Sequence, residues 1–395
     1  MKLQQWSFAI VVALAGCGGT GTGGATPAQP DGGSGTGQPP IDVSGCDGQA
    51  LLENPYDPAA AGPWAVGART VQVGRLTTEV WYPAPPGSAG DAATKVRYDI
   101  RKELPPSQRG LIPDADNPWQ TCDCWRDLPI DDAHGPYPVV VFVHGTASFR
   151  TQSLTEMTHW ASRGFVVIAA DHPGLMLADT LAFVCPDAAS GSQDLTGDVD
   201  ALLEAARGAS GQMAFLAGHV DTERMALVGH SAGGGAVAGM SGRDGVRVIM
   251  PWSAGSAVGG GDGLDAVLYV SGQNDAIAKY SGVVSAYEST TVSPRYLVGI
   301  ADAGHLVVSD LCQLQNGADE NMLQVAQRYN VCGTNLAGSL FDCEDFYVDG
   351  PTGWAITEYA TSAVLETTLQ CIDRSAALGE LTSRFSDAVG EFRAD

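Results

Sequence analysis

The chain carries a series of short, uninterrupted apolar runs: Val139–Val143 (VVVFV), Phe165–Ala170 (FVVIAA), Met225–Val228 (MALV), and then VRVIMPW, AVLYVSG and RYLVGI. None alternates polar with apolar residues, so none suits a sheet with one wet face. Strands this uniformly apolar are buried on both faces, which requires helices on either side and mostly parallel pairing. The intervening stretches supply the helices. Ser153–Gly164 (SLTEMTHWASRG) reads as one, with Ser153 and Glu156 spaced as a capping box and Gly164 as its stop. Residues 197–206 read as another. The alternation predicts an α/β fold with a mostly parallel central sheet and helices on both faces. Ala68–Val73 and Leu76–Tyr82 read as two early strands, and residues 354–372 (WAITEYATSAVLETTLQCI) as an amphipathic helix packing on the sheet.

In such sheets the working residues gather at the carboxyl ends of the strands. His144, Ser231, Trp252 and Asp275 each lie just after an apolar run, and His305 a few residues past one. Ser231 stands in LVGHSAGGGA, a G-x-S-x-G pattern from Gly229 to Gly233. A chain with 50 glycines produces such a pattern readily by chance. It carries chemistry only on a sharp strand-to-helix turn, followed along the chain by an acid and then a histidine. Of seven histidines only His305 follows Ser231. Among the acids between them, Asp275 lies at the carboxyl end of a strand-like run, whereas Asp262 and Asp265 precede that strand and Asp302 is only three residues from His305.

The expected site is therefore Ser231 as nucleophile, His305 as general base and Asp275 as the residue orienting the imidazole. The backbone N–H of Ala232, at the start of a helix, is one expected donor to a developing oxyanion. The second is expected from the loop after VVVFVHG, with Thr146 preferred and Ala147 as the alternative. His230 and Ala147 are expected at the substrate cleft, and His144 in a structural hydrogen bond. This chemistry needs no cofactor, and no residue spacing points to a metal site.

The ends of the chain and its charge say where such a protein works. Residues 1–17 (MKLQQWSFAIVVALAGC) have one lysine, an apolar stretch and small residues before a cysteine, the pattern of a secretory signal. Leu14-Ala15-Gly16-Cys17 resembles the lipobox of bacterial lipoproteins, which implies lipid attachment at Cys17. Residues 18–45 begin with a Gly-, Pro- and Thr-rich stretch with little to pack, expected to be a flexible tether. Residues 46–395 then form one α/β domain, with 85–136 read as a loop insertion and 306–395 as a C-terminal extension. Without Cys17 eight cysteines remain, an even number that fits up to four disulfides in an oxidising compartment. The net charge of −24 argues against nucleic acid or anionic lipid surfaces as partners. The expectation is an exported, monomeric cell-envelope lipoprotein at the outer membrane or cell surface, with free secretion as the alternative, touching the membrane by its lipid anchor alone.

From about Arg69 to Leu311 the chain resembles the α/β-hydrolase superfamily, through EVWYPAP, VVVFVHGTAS, GFVVIAADHPG, LVGHSAGGGA, IMPWSAG, YVSGQNDAIA and AGHLVVSD. Within it the chain is similar to the group of dienelactone hydrolases, platelet-activating-factor acetylhydrolases and bacterial cutinases and polyester hydrolases. The resemblance implies a serine carboxylic-ester hydrolase acting on short-chain, lipid-derived or polymeric esters. It further implies that Trp252 lines the acyl cleft and that Thr146 and Ala232 supply the oxyanion donors. A peptidase or acyltransferase on the same three residues, or a binding lipoprotein without activity, stays open. So does the part played by 85–136 and 306–395, either a lid over the cleft or disulfide-pinned surface decoration.

Overall fold

A computed structural model describes residues 39–90, 93–187, 189–261, 263–338, 340–343 and 346–395. The expected signal segment, Cys17 and the first part of the tether lie outside the described residues. The strands are β1 (Asp42–Ser44), β2 (Ala50–Leu52), β3 (Ala65–Val73), β4 (Leu76–Ala84), β5 (Lys95–Tyr98), β6 (Gln120–Arg126) and β7 (Tyr137–Val143). They continue with β8 (Val166–Ala170), β9 (Val220–His230), β10 (Val246–Trp252), β11 (Ala266–Gly272), β12 (Arg295–Ile300) and β13 (Val389–Ala394). The helices are α1 (Leu154–Ser162), α2 (Leu177–Leu181), α3 (Leu195–Gly208), α4 (Ala232–Ala238), α5 (Tyr280–Ser289), α6 (Met322–Arg328), α7 (Thr334–Gly338), α8 (Gly350–Leu369) and α9 (Ser375–Arg384).

Among the described residues the sheet has eleven strands in the order β13-β12-β11-β10-β9-β7-β8-β4-β3-β6-β5. The run from β8 through β7, β9, β10 and β11 to β12 is parallel, so these strands end on one edge of the sheet. Every residue of β7, β8 and β11 is buried, as their composition requires. Successive side chains serve opposite faces. Val140 and Phe142 pack with α1 and α8, while Val139, Val141 and Val143 pack with α3, α4 and α5. The α/β fold expected from the apolar runs is thus the observed one.

Several local expectations are corrected. The tether does not extend to residue 45, because Asp42–Ser44 pairs with Ala50–Leu52 and Cys46 is bonded to Cys371. The segment 85–136 is not all loop: β5 and β6 extend the sheet beyond β3. Their polar sequences gave no strand signal because only part of each is buried. The capping box of α1 does not form. Ser153 Oγ donates instead to the carbonyl of Val308 at 2.7 Å, and Glu156 is buried with neither carboxyl oxygen partnered, a setting that pushes its pKa well above the carboxylate range. Helix α8 is buried over most of its circumference rather than along one stripe. Four disulfides join Cys46–Cys371, Cys122–Cys124, Cys185–Cys332 and Cys312–Cys343, as suits an exported protein. Among the described residues no helix is long and apolar enough to cross a membrane.

One ionic cluster ties the N-terminal segment to the helical layer. Glu366 of α8 is fully buried and accepts from Arg163 Nε at 2.5 Å and Arg374 Nε at 2.7 Å. The same arginines donate to the carbonyls of Pro55 and Asn54, at 3.1 and 3.4 Å. Removing one member of a buried ionic cluster strands the others in low dielectric, which costs about 3–5 kcal/mol. Glu366→Ala is therefore expected to lower stability in urea unfolding by about that amount, whereas a loss under about 1 kcal/mol would mean that the arginines find other partners.

Candidate active site

The turn from β9 into α4 holds Ser231 at φ 55° and ψ −116°, a region that non-glycine residues seldom occupy. Two backbone bonds keep it there: Ser231 N–H donates to the Trp252 carbonyl at 2.9 Å, and Gly235 N–H to the Ser231 carbonyl at 2.9 Å. The flanking glycines allow the turn to close. A Cβ on Gly229 would lie 2.4 Å from the backbone of Gly233, and one on Gly233 would lie 2.2 Å from the Val143 carbonyl oxygen. Gly235, by contrast, meets nothing closer than 3.5 Å, so its place in the glycine run is not sterically required.

His305 sits in the loop after β12, and Asp275 after β11, so the parallel register brings them together. Asp275 Oδ2 lies 2.7 Å from His305 Nδ1. Its other oxygen accepts from the N–H groups of Ile277 and Ala278, at 2.8 and 2.7 Å. The carboxylate is thereby fixed from both sides, and the imidazole is held with Nδ1 toward it. His305 and Ser231 line one cavity of about 220 Å³ together with Thr146, Ala147 and His230. Among the described residues no hydrogen bond joins the Ser231 hydroxyl to His305. Such contacts are commonly long in the absence of substrate.

The two proposed oxyanion donors are available. The N–H groups of Thr146 and Ala232 have no hydrogen-bond partner among the described residues. Ala147 is different, because its N–H donates to the Leu175 carbonyl at 2.9 Å. It lines the cavity, at φ 56°, but its amide is committed elsewhere. Gly145 N–H is held by Gln152 Oε1 at 2.9 Å, which steadies the loop carrying Thr146.

His230 donates through Nε2 to the carbonyl of His305 at 2.9 Å, with the two ring centroids 4.6 Å apart. Burial holds its pKa well below the ordinary histidine value, which keeps it the neutral donor this contact needs. His144 is likewise pushed down to about 3 by burial and hydrogen-bonded through both nitrogens, to Gly145 O and His172 N–H. It is a structural residue. The expectation that Trp252 lines the cleft is not met. Its ring is fully buried between Phe142 and Trp160, with both centroid distances 5.7 Å, and only its backbone carbonyl serves the site.

Three participants were not foreseen. Asp342, in the C-terminal extension, accepts the backbone N–H of His305 through Oδ2 and that of Leu306 through Oδ1, the latter at 3.1 Å. It lies beside Cys343, which is bonded to Cys312, so a distant part of the chain anchors the histidine loop. Ser148 and Gln152 also line the cavity, and Ser148 Oγ and Gln152 Nε2 are buried with no partner. Unsatisfied buried groups are costly, and at a reaction cavity they are available to a substrate. Apart from its neighbour Cys343, nothing in the local sequence around Asp342 signals its role. The cysteine next to it was the one available pointer.

The steric demand at the turn makes a test of the geometry. Gly233→Ala must displace the Val143 carbonyl or the turn itself, and is expected to lower stability by about 1–3 kcal/mol in thermal or urea unfolding. Gly235→Ala, with space for its methyl, is expected to change stability by less than about 0.5 kcal/mol or to raise it. Equal effects at the two positions would show that the turn is not packed as described.

A family model described as PET hydrolase-like matches residues 128–320. The match spans β7 to β12 and contains Ser231, Asp275 and His305. The comparison with curated proteins gave no match. With its parallel sheet, its strand-to-helix serine turn and this match, the chain has an α/β-hydrolase fold and is similar over residues 128–320 to the PET hydrolase-like family.

Proposed function

We propose that this protein is an exported serine carboxylic-ester hydrolase working through an acyl-enzyme. The observation that carries the reading is the Asp275–His305 hydrogen bond converging on the strained Ser231 turn, in one cavity with the unpartnered amides of Thr146 and Ala232. His305 Nε2 takes the proton of Ser231 Oγ as that oxygen attacks the ester carbonyl. The negative oxygen of the tetrahedral intermediate is stabilised by the Thr146 and Ala232 N–H groups, and Asp275 stabilises the imidazolium. The intermediate collapses as His305 returns the proton to the leaving alcohol. Water then enters, His305 takes a proton from it, and the acyl-serine is cleaved to the carboxylic acid and free Ser231.

Attachment through a lipid on Cys17 belongs to the proposal on the sequence of residues 1–17 alone. A small-molecule, lipid or polymer ester is the proposed partner in the reaction, and no cofactor is invoked.

Hydrolysis of p-nitrophenyl butyrate by the purified mature protein tests the reading. Ser231→Ala is expected to remove at least about 10⁴-fold of kcat, and Asp275→Asn a comparable amount with little change in fold, because the imidazole loses its fixed tautomer. A folded Ser231→Ala protein that retained wild-type turnover would exclude the serine mechanism. Parallel assays with p-nitroanilides separate ester from amide chemistry, and faster anilide cleavage would turn the reading toward a peptidase.

A further inference from the structure

A second cavity, of about 60 Å³, adjoins the one that holds Ser231. Leu177 and Phe341 line both, so the two spaces are separated by a pair of apolar side chains. The rest of its wall comes from three separate parts of the chain. Leu104 and Ile112 belong to the segment 85–136, Leu181 to α2, and Val325 and Ala326 to α6. Leu104, Ile112, Leu181 and Val325 form one buried cluster with Cys185, whose disulfide to Cys332 pins the second segment to the third. The charged groups at its edge are turned to each other. Arg101 is paired with Asp99 at 2.7 Å and Asp114 at 2.6 Å, and Asn117 donates to Asp99 at 2.8 Å.

We propose that this compartment is the acyl-chain subsite of the enzyme and that it selects esters of linear aliphatic acids. The inference rests on the ester hydrolase reading and adds its substrate class. Size decides between aliphatic and aromatic acids: a cavity of about 150 Å³ is what admits benzene in a protein core, and this one is well under half of that. It has room for the last few carbons of a chain and none for a ring. Position decides between acid and alcohol. The alcohol must leave after the first half of the reaction, whereas the acyl group stays bound through both halves, and an apolar pocket set beyond Leu177 and Phe341 suits the part that stays. Most of its wall also lies outside the residues matched to the PET hydrolase-like family, as Leu104, Ile112, Val325, Ala326 and Phe341 do, while Leu177 and Leu181 lie within them.

Each methylene that enters such a pocket from water raises kcat/KM by about fourfold. The test compares p-nitrophenyl acetate, hexanoate and benzoate, and hexyl acetate, on the wild type, on Ala326→Phe, which fills the compartment, and on Phe341→Ala, which opens its entrance. Wild type is expected to prefer hexanoate to acetate, and hexanoate to benzoate, each by about tenfold or more. In Ala326→Phe the hexanoate-to-acetate ratio is expected to fall about tenfold, and in Phe341→Ala the preferred chain is expected to lengthen. An unmoved ratio in folded variants, benzoate cleaved as well as hexanoate by wild type, or a chain-length dependence carried by the alcohol in hexyl acetate would each overturn the subsite while leaving the hydrolase in place. Failure of wild type on every ester, including acetate, would instead overturn the hydrolase reading, and the subsite with it.

Discussion

The structure depends on one constraint: six apolar strands, from β8 to β12 in spatial order, lie parallel and are buried on both faces. Parallel pairing forces each connection to cross over and return, so the chain leaves every one of these strands at the same edge. The loops bearing Thr146, Ser231, Asp275 and His305 therefore meet without any other device. Close approach does the rest. Gly229 and Gly233 let α4 start against β7 and β9, and the Trp252 carbonyl in the neighbouring strand accepts the N–H of Ser231 at 2.9 Å.

Around this frame the chain adds material that changes what the site can hold. Leu306, Leu311, Leu340 and Phe341 line the cavity with Ser231, and Asp342 holds the backbone of His305 and Leu306. Residues 340–342, beyond the matched stretch, thus reach the site. The apolar clusters of the added material are small, and the disulfides Cys185–Cys332 and Cys312–Cys343 fall within them. Small clusters bury too little area to order long segments alone, and covalent closure offsets that deficit.

How much of this could be read from the sequence follows from burial. Strands β10, β11 and β12 match the runs VRVIMPW, AVLYVSG and RYLVGI residue for residue, because two-sided burial leaves an unmixed apolar signature. The choice of His305 needed no structure, since no other histidine follows Ser231. Strands β5 and β6 carry no apolar signature, because partial burial lets polar residues into them. Ser153 and Glu156 have the spacing of a capping box, yet tertiary packing overrides it: Ser153 Oγ is engaged in donating to the Val308 carbonyl and Glu156 falls in the core. The resemblance puts Trp252 in the cleft, but Phe142 and Trp160 enclose its ring here. Asp342 acts from 37 residues beyond His305 through backbone contacts, which leave no pattern in side-chain spacing.

The central claim is that Ser231 is the reactive nucleophile. The most direct test is to treat the folded mature protein with a fluorophosphonate, digest it, and locate the adduct by mass spectrometry. The account predicts stoichiometric modification of the peptide containing Ser231 and of no other serine, with modification lost in His305→Ala because the hydroxyl then has no base. Absence of any adduct on folded protein, or an adduct at another residue, would contradict it.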